Sequence, residues 1–404
     1  MKISLIQPGR NNLKYLKWAY DAIRKHQGDH EVEICVADDA STDGTWEWCM
    51  DLMDHDQNFI AIKNQGPDRL GLVILNDRLI NEVAKYDICM VFHADMYLMP
   101  GAIDQIEHKL KENTIVSLTR IEPSLHPPGP EKMLFDCGME PEDFEEQKLL
   151  DWFKDIQLNQ LTKCTEGIFA PWAFYKKDFQ EIGGHDILFA PQSKEDSDIF
   201  NRFQLNGIKF IQTWGGCVYH LTCRGSRFNT FSGGSPGKNS EEWIGTTTKN
   251  MRNFIRKWGT MVKHDVFLKP IVTPKYDLGF IIKNANLQLI EGLEPWCSTV
   301  YYDESEMRNF KYADYIEKED TSFDLYEKFK PYDNEKQNDI LVEIDGNRFG
   351  NNDFRVIQTL SEILANDEQL WEAILIEPTH FEIENLQVTI HSLETYENNL
   401  IHNN

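Results

Sequence analysis

The sequence predicts an α/β protein with a mostly parallel, doubly wound, Rossmann-like sheet over residues 1–265. A smaller α/β or α+β domain follows over residues 266–404. Three observations lead there. Short apolar runs alternate with helical patterns along the first half, as in a parallel sheet with crossover helices. One run, residues 88–92, is apolar without interruption, as suits a strand buried on both faces; it stops abruptly at His93-Ala94-Asp95. Beyond about Val266 the pattern changes to strand-like runs separated by charged segments, and 404 residues exceed one typical core.

Taken in order, residues 2–7 read as a first strand broken by Pro8-Gly9. A helix follows, with Leu13, Leu16, Tyr20 and Ile23 near a 3.6-residue period. Residues 31–37 form a second strand ending in Asp38-Asp39, and residues 46–53 a helix. Residues 59–63 are a third strand, 66–71 a loop with Arg69, and 72–84 an amphipathic helix bearing Asn76. After the run at 88–92 come a helix at 102–110 and a strand at 114–120. Residues 122–143 are rich in Pro and Gly and read as an irregular excursion. An acidic helix is expected at 144–159, then an aromatic stretch at 165–175, a turn at 182–186 and a helix from Glu195 to Leu205. Residues 210–213 and 216–221 read as two short strands. The segment 222–238, with Arg224 and Arg227, reads as a mobile loop over a phosphate. A helix at 241–258 closes the first domain. In the second half, strands are expected at 278–282, 300–302, 339–344 and 373–376, and a helix at 353–366. Residues 317–337 read as a charged surface loop, and residues 391–404 as a fraying tail.

Composition narrows the function. A formal charge of -25 and a pI near 4.9 argue against non-specific nucleic-acid binding and against adhesion to anionic membranes. No apolar run reaches the roughly 18 residues of a spanning helix, and Met1-Lys2-Ile3 does not open a signal peptide, so a cytoplasmic protein is expected. The eight cysteines are scattered without a C-x-x-C pair, which suits free thiols in a reducing compartment. An acidic protein that binds an anionic ligand needs local neutralisation, which favours a divalent cation.

The candidate site residues each have a plainer reading. Asp95 after a strand is a helix cap or turn former as readily as a functional acid. At 38–45 one capping residue would suffice for the next helix, and two adjacent acids at a strand end are electrostatically costly alone. The aromatic stretch with Trp172 is either core or a wall on which a sugar stacks.

Together these residues resemble the family 2 glycosyltransferases of the GT-A fold, over residues 2–228. Val36-Ala37-Asp38-Asp39-Ala40-Ser41-Thr42-Asp43-Gly44-Thr45 is close to that family's VVDDGSTDGT signature. Lys2 to Asn11 is similar to its opening strand and turn, and Val91-Phe92-His93-Ala94-Asp95 stands where it has its D-x-D motif. Gly183-Gly184-His185-Asp186, then Lys194-Glu195-Asp196, resembles its G-G-F-D and E-D segments.

The resemblance implies a nucleotide-diphosphate sugar donor and a saccharide or glycoconjugate acceptor, with inversion at the transferred sugar. The implied nucleotide-sugar-binding residues are Pro8, Asn11, Asp38, Asp39, Arg69, Asn76, Ala94 and Asp95. Asp196, beside Glu195, is the implied base. Mn2+ or Mg2+ would be held by Asp95 and His220, with His93 as a ligand, a ribose contact or a core histidine. Trp172, Arg224 and Arg227 fall on the acceptor and loop side. His93 departs from the family pattern, which has an acid there. The second domain carries no catalytic constellation and suits acceptor choice or homo-oligomer contacts. Two rival readings are a catalytically degenerate GT-A domain that binds saccharide or protein, and a sugar-1-phosphate nucleotidyltransferase. Gln7-Pro8-Gly9-Arg10-Asn11-Asn12 is a poor version of the glycine-rich basic loop that the latter needs.

Overall fold

A computed structural model describes residues 1–224, 238–302, 312–332, 337–374 and 378–402. The chain divides into two compact units: Met1–Thr247 with Lys263–Ile271 and His402–Asn404, and Thr248–Val262 with Val272–Ile401.

The first unit opens with β1 (Lys2–Gly9), α1 (Leu13–His26), β2 (Glu31–Asp39), α2 (Thr45–His55), β3 (Phe59–Asn64) and α3 (Gly71–Arg78). Next come β4 (Ile88–Val91), β5 (Met96–Leu98), α4 (Ala102–Lys109), β6 (Thr114–Glu122), β7 (Lys132–Leu134) and α5 (Glu146–Gln160). It continues with β8 (Cys164–Thr165), β9 (Trp172–Tyr175), α6 (Lys176–Glu181), α7 (Glu195–Leu205) and β10 (Lys209–His220), and α8 (Glu241–Trp258) begins in it. The sheet order is β3-β2-β1-β4-β9-β6-β10-β5, with β7 beside β6 and β8 beside β10. The β3-β2-β1-β4 and β6-β10 pairs are parallel, while β9 runs antiparallel between β4 and β6.

Periodicity explains these elements. In α1 the buried residues are Leu16, Ala19, Ala22 and Ile23, one face of a helix. Residues 3–7 of β1 and 32–39 of β2 are buried without alternation, as in a parallel sheet covered on both faces. Pairing then brings the carboxyl ends of β1, β2, β6 and β10 to one edge, where open α/β sheets gather ligands.

The second unit has a sheet of order β13-β12-β11-β14-β16-β15. Its strands are β11 (Leu278–Lys283), β12 (Thr299–Tyr302), β13 (Phe329–Pro331), β14 (Ile340–Asp345), β15 (Thr379–Ile383) and β16 (Leu386–Ile390). The first four in that order are parallel and the last two join antiparallel, around a core that includes Phe280, Val300, Val342 and Val388. The C-terminal region is thus α/β with an antiparallel hairpin.

Several elements differ from expectation. The two strands expected at 210–213 and 216–221 are one strand, β10, with a bulge between Thr213 and Cys217 that accommodates Gly215-Gly216. The strand expected at 373–376 is instead the end of helix Glu368–Ile374; four apolar residues do not distinguish the two. Residues 375–377 lie outside the described residues. The supposed loop at 317–337 contains helix Leu325–Lys328 and β13.

Candidate active site

A cavity of about 440 Å³ lies at the carboxyl edge of the first unit's sheet. Pro8, Asp39, Arg69, Ala94, Asp95 and His93 line it, as do His220 and Arg224. In a chain of net charge -25 the lining is locally basic: Arg10, Arg69, Arg120, Lys132 and Arg224 face three acids, Asp39, Asp95 and Glu122.

The floor is built by strand register. His220, the last residue of β10, pairs with Met96 of β5, so Asp95 lies one step away, and Leu221 N donates to the Asp95 carbonyl. On the other side of β10, Tyr219 pairs with Ile121 of β6, which puts Glu122 beside His220. His220 Nδ1 is 2.7 Å from Glu122 Oε1, and Nε2 is 3.4 Å from Asp95 Oδ2. Ligand atoms of His93, Asp95 and His220 all lie within 4.8 Å of one another.

Electrostatics fixes the protons. Burial opposes ionisation of Glu122, but His220, Lys132 at 2.9 Å and Arg120 bring its pKa down to about 2. An ionised carboxylate only accepts, so His220 Nδ1 is the N–H donor and Nε2 faces Asp95. Burial also opposes ionisation of Asp95, and His220 and His93 bring it to about 2. Burial opposes protonation of His220 as well, but Asp95 and Glu122 raise its pKa. His93 is accessible to water in the cavity yet ringed by protein, and this loss of bulk solvent lowers its pKa more than Asp95 raises it. A ring nitrogen aimed at a carboxylate requires positive charge between them, either a proton or a metal ion. One carboxylate and two imidazoles suit a divalent cation, with Glu122 as the outer group that orients a ligand histidine.

The start of α7 follows Gln192, which lines the cavity, while no residue of α7 itself does. Ser193 and Lys194 both have positive φ, 80° and 74°, and deliver Glu195-Asp196 into the first helical turn. Beneath them Asp198 and Arg202 form a fully buried pair at 2.8 Å. Arg202 also donates to the carbonyls of Ile182 and Gly184, which locks the Gly183-Gly184-His185-Asp186 turn. Gly184 has φ +72° and a Cβ there would sit 2.3 Å from Asp77 Oδ2, so only glycine fits. Glu195 is buried, with Oε2 unpartnered, and burial followed by the charge of Asp196 pushes its pKa up to about 8. Asp196 is exposed, forms no hydrogen bond among the described residues, and is close enough for its charge to act on His93. It does not line the cavity. The position before the helix is Lys194, so Asp196 is not the helix cap.

The remaining candidates separate. Asp39 is held by Asn64 Nδ2 and the Leu70 and Gly71 amides at 2.7–3.0 Å, so its carboxylate is largely engaged by the chain itself. Arg69 bridges Gln192 and Glu242 beside it. Asn11 braces the loop after β2, accepting from Thr42 N and donating its own amide to Ser41, and is not among the residues lining the cavity. Asp38 and Asn76 are buried and not among the residues lining the cavity, each with an unpartnered oxygen. Arg224 pairs with Glu140 and donates to the Met139 carbonyl. Arg227 lies outside the described residues. Trp172 is a correction: its ring is fully buried against Phe174, Phe200 and Phe203, so no sugar can stack on it.

Glu122, Arg120 and Lys132 were not singled out from the sequence. The signal was Arg120-Ile121-Glu122 at a strand end, where alternation puts both charges on one face.

Residues 4–183 match the family model described as Glycosyl transferase family 2. Over this segment the chain is similar to glycosyltransferase family 2. The segment contains Asp39, His93 and Asp95; Glu195, Asp196 and His220 lie beyond the match. Abequosyltransferase RfbV of Salmonella typhimurium is 34% identical over 101 residues, 24% of this chain and 28% of that protein. Among solved structures the chain is similar to GalNAc-T7 with UDP, GalNAc and Mn2+ (TM-score 0.45, 14% identity, 64% of this chain and 48% of that one). It is also similar to the mannosyltransferase PcManGT of Pyrobaculum calidifontis with GDP-Man and Mn2+ (TM-score 0.39, 14% identity, 55% and 58%). The chain spans about a quarter of the curated relative and about half of these structures.

Proposed function

We propose that the protein is an inverting GT-A glycosyltransferase, of hexosyl type. It takes a nucleotide-diphosphate sugar as donor and a hydroxyl of a saccharide or glycoconjugate as acceptor. The observation that carries this reading is the convergence of His93, Asp95 and His220 on the floor of a locally basic cavity walled by Asp39.

A divalent cation, Mn2+ or Mg2+, held by Asp95 and His220 with His93 would stabilise the negative charge that grows on the diphosphate as the sugar departs. The chain's own residues do the rest. Glu122 holds His220 with Nε2 turned toward the floor, so no reorganisation is needed as charge develops. Arg10, exposed on the lining, and Arg224 add positive charge for phosphate oxygens. Pro8, Asp39 and Ala94 shape the wall for the nucleoside, supported by Asn11, Asp38, Arg69 and Asn76. Asp196 accepts the acceptor hydroxyl's proton as that oxygen attacks. Glu195, held protonated at neutral pH, keeps a second negative charge away from Asp196. One displacement from the face opposite the leaving group inverts the anomeric centre. All eight cysteines are free, which suits the reducing cytoplasm.

Donor hydrolysis by the full chain, across a panel of nucleotide sugars with and without Mn2+, tests this. Turnover of one donor that disappears with chelator is expected. Equal turnover in excess chelator would overturn the cation assignment, and nucleotide binding without any turnover would leave a degenerate binding domain.

A further inference from the structure

We propose that the surface around the amino end of β10 and the 263–271 loop is a peripheral contact for a bilayer bearing anionic lipid. This inference does not rest on the transfer reading. Lys209 begins β10 and His220 ends it, so the surface lies roughly 35 Å along the strand from the cavity floor.

The first observation is local charge. A groove of about 830 Å³ is lined by His108, Lys109, Lys111, Lys209 and Lys269, with Glu166 as its acid. Glu166 is already paired with Lys269 at 2.6 Å, and neighbouring Glu112 with Lys177 at 3.1 Å. Lys163 adjoins the groove, its ammonium 3.5 Å from the centre of the Trp214 ring. Trp214 is tied to the groove residue Thr165 through its indole N–H. A net charge of -25 is a property of the whole chain; a membrane at contact feels charges within about 8 Å, the screening length at physiological salt. The whole-chain reading against anionic membranes therefore does not describe this face.

The second observation is what lies between the lysines. The loop is a preformed turn: His264 bridges Pro270, Asp265 N donates to the Lys269 carbonyl, and Asp265 Oδ1 accepts from the amides of Phe267 and Lys269. It presents Val266 at 79% exposure and Phe267 at 43% between Lys263 and Lys269. The Phe267 carbonyl sits only 2.3 Å from where a Cβ on Gly167 would lie, so the loop is seated closely against that segment. Leu161, at 37% exposure just after α5, accepts from the groove lysine Lys109 through its carbonyl, and Leu158 near the end of that helix is 74% exposed. A soluble polyanion would use the lysines and leave these side chains in water. An anionic bilayer takes up both, with bulky apolar groups in the headgroup boundary and lysines at the phosphates. No helix among the described residues is long and apolar enough to cross a membrane, so the contact is peripheral.

Vesicle flotation of the full chain tests this, with phosphatidylcholine alone against phosphatidylcholine mixed with phosphatidylglycerol. The wild type is expected to float with the anionic vesicles and not with the neutral ones. Lys111→Glu/Lys209→Glu and Val266→Asp/Phe267→Asp should each weaken flotation about tenfold or more, with unchanged circular dichroism and donor hydrolysis. No flotation, or equal flotation with both vesicles, would overturn the proposal. Loss only in the lysine variant would mean a soluble polyanion, and the bilayer would be wrong. A vesicle-free dimer by light scattering that Val266→Asp/Phe267→Asp abolishes would make the face an interface between copies, again overturning it.

Discussion

The cavity floor and the first turn of α7 both gather acids, under opposite electrostatic conditions. On the floor each carboxylate has a cationic partner: Asp95 faces His220, Glu122 faces His220 and Lys132, and both are held ionised at about 2. At α7, Glu195 has an unpartnered buried oxygen and a pKa pushed to about 8, while Asp196 stands in solvent without a hydrogen bond among the described residues. A site that stabilises ionised carboxylates is organised for positive charge, and a site that destabilises them takes up protons. That division suits a cation on one side of a reacting bond and a base on the other.

The strongest way to break the contrast is Asp196→Asn. As the base, it should cost about 10²–10⁴ in turnover and leave folding and cation-dependent nucleotide binding intact. Turnover above about a tenth of wild type would remove Asp196 from the chemistry, since that is less than a general base contributes.

The floor is sharpened by Glu122. Glu122→Leu removes the partner that fixes His220 and leaves Lys132 without its buried counter-charge; Mn2+ affinity should fall about 10–100-fold. Glu122→Gln keeps an acceptor for Nδ1–H and should retain more of it. Calorimetric Mn2+ titration reads this without turnover, and equal affinities in all three proteins would make Glu122 merely structural.

The smallest effect concerns Glu195 and pH. Its folded pKa of about 8 exceeds the ordinary glutamate value of about 4.3, so the folded state binds the extra proton between those values. Stability from this group is complete below about 4.3 and is lost as pH rises through about 8. Glu195→Gln cannot ionise, so its melting temperature relative to wild type should rise between pH 5 and pH 9. A constant difference across that range would mean Glu195 is not held protonated by the fold.

How much of this was legible in the sequence depends on whether the signal is local. Asp39, Asp95 and His220 end apolar strands, and strand ends can be read from one stretch of chain. Glu122 depends on the register of β6 against β10, whose partners are 98 residues apart. Its segment, running into Pro123, read as the start of an irregular loop. Trp172 was misleading because Gly, Pro and aromatics together describe a sugar wall and a tightly packed strand equally well. The Trp214-Gly215-Gly216 interruption imitated a turn and concealed a bulge within β10. The hairpin of β15 and β16 did carry a local signal, the alternation in Leu386-Gln387-Val388-Thr389-Ile390, which was weak beside the charged segments around it.

The central claim is that His93, Asp95 and His220 together hold a cation that a nucleotide diphosphate needs. Titration of UDP and GDP into wild type and Asp95→Ala, each with Mn2+ and with chelator, tests it most directly. The expected result is tight binding of one diphosphate only by wild type with Mn2+, and at least about 10²-fold weaker binding in the other three combinations. Binding by Asp95→Ala that still depends on Mn2+ and matches wild type would contradict it.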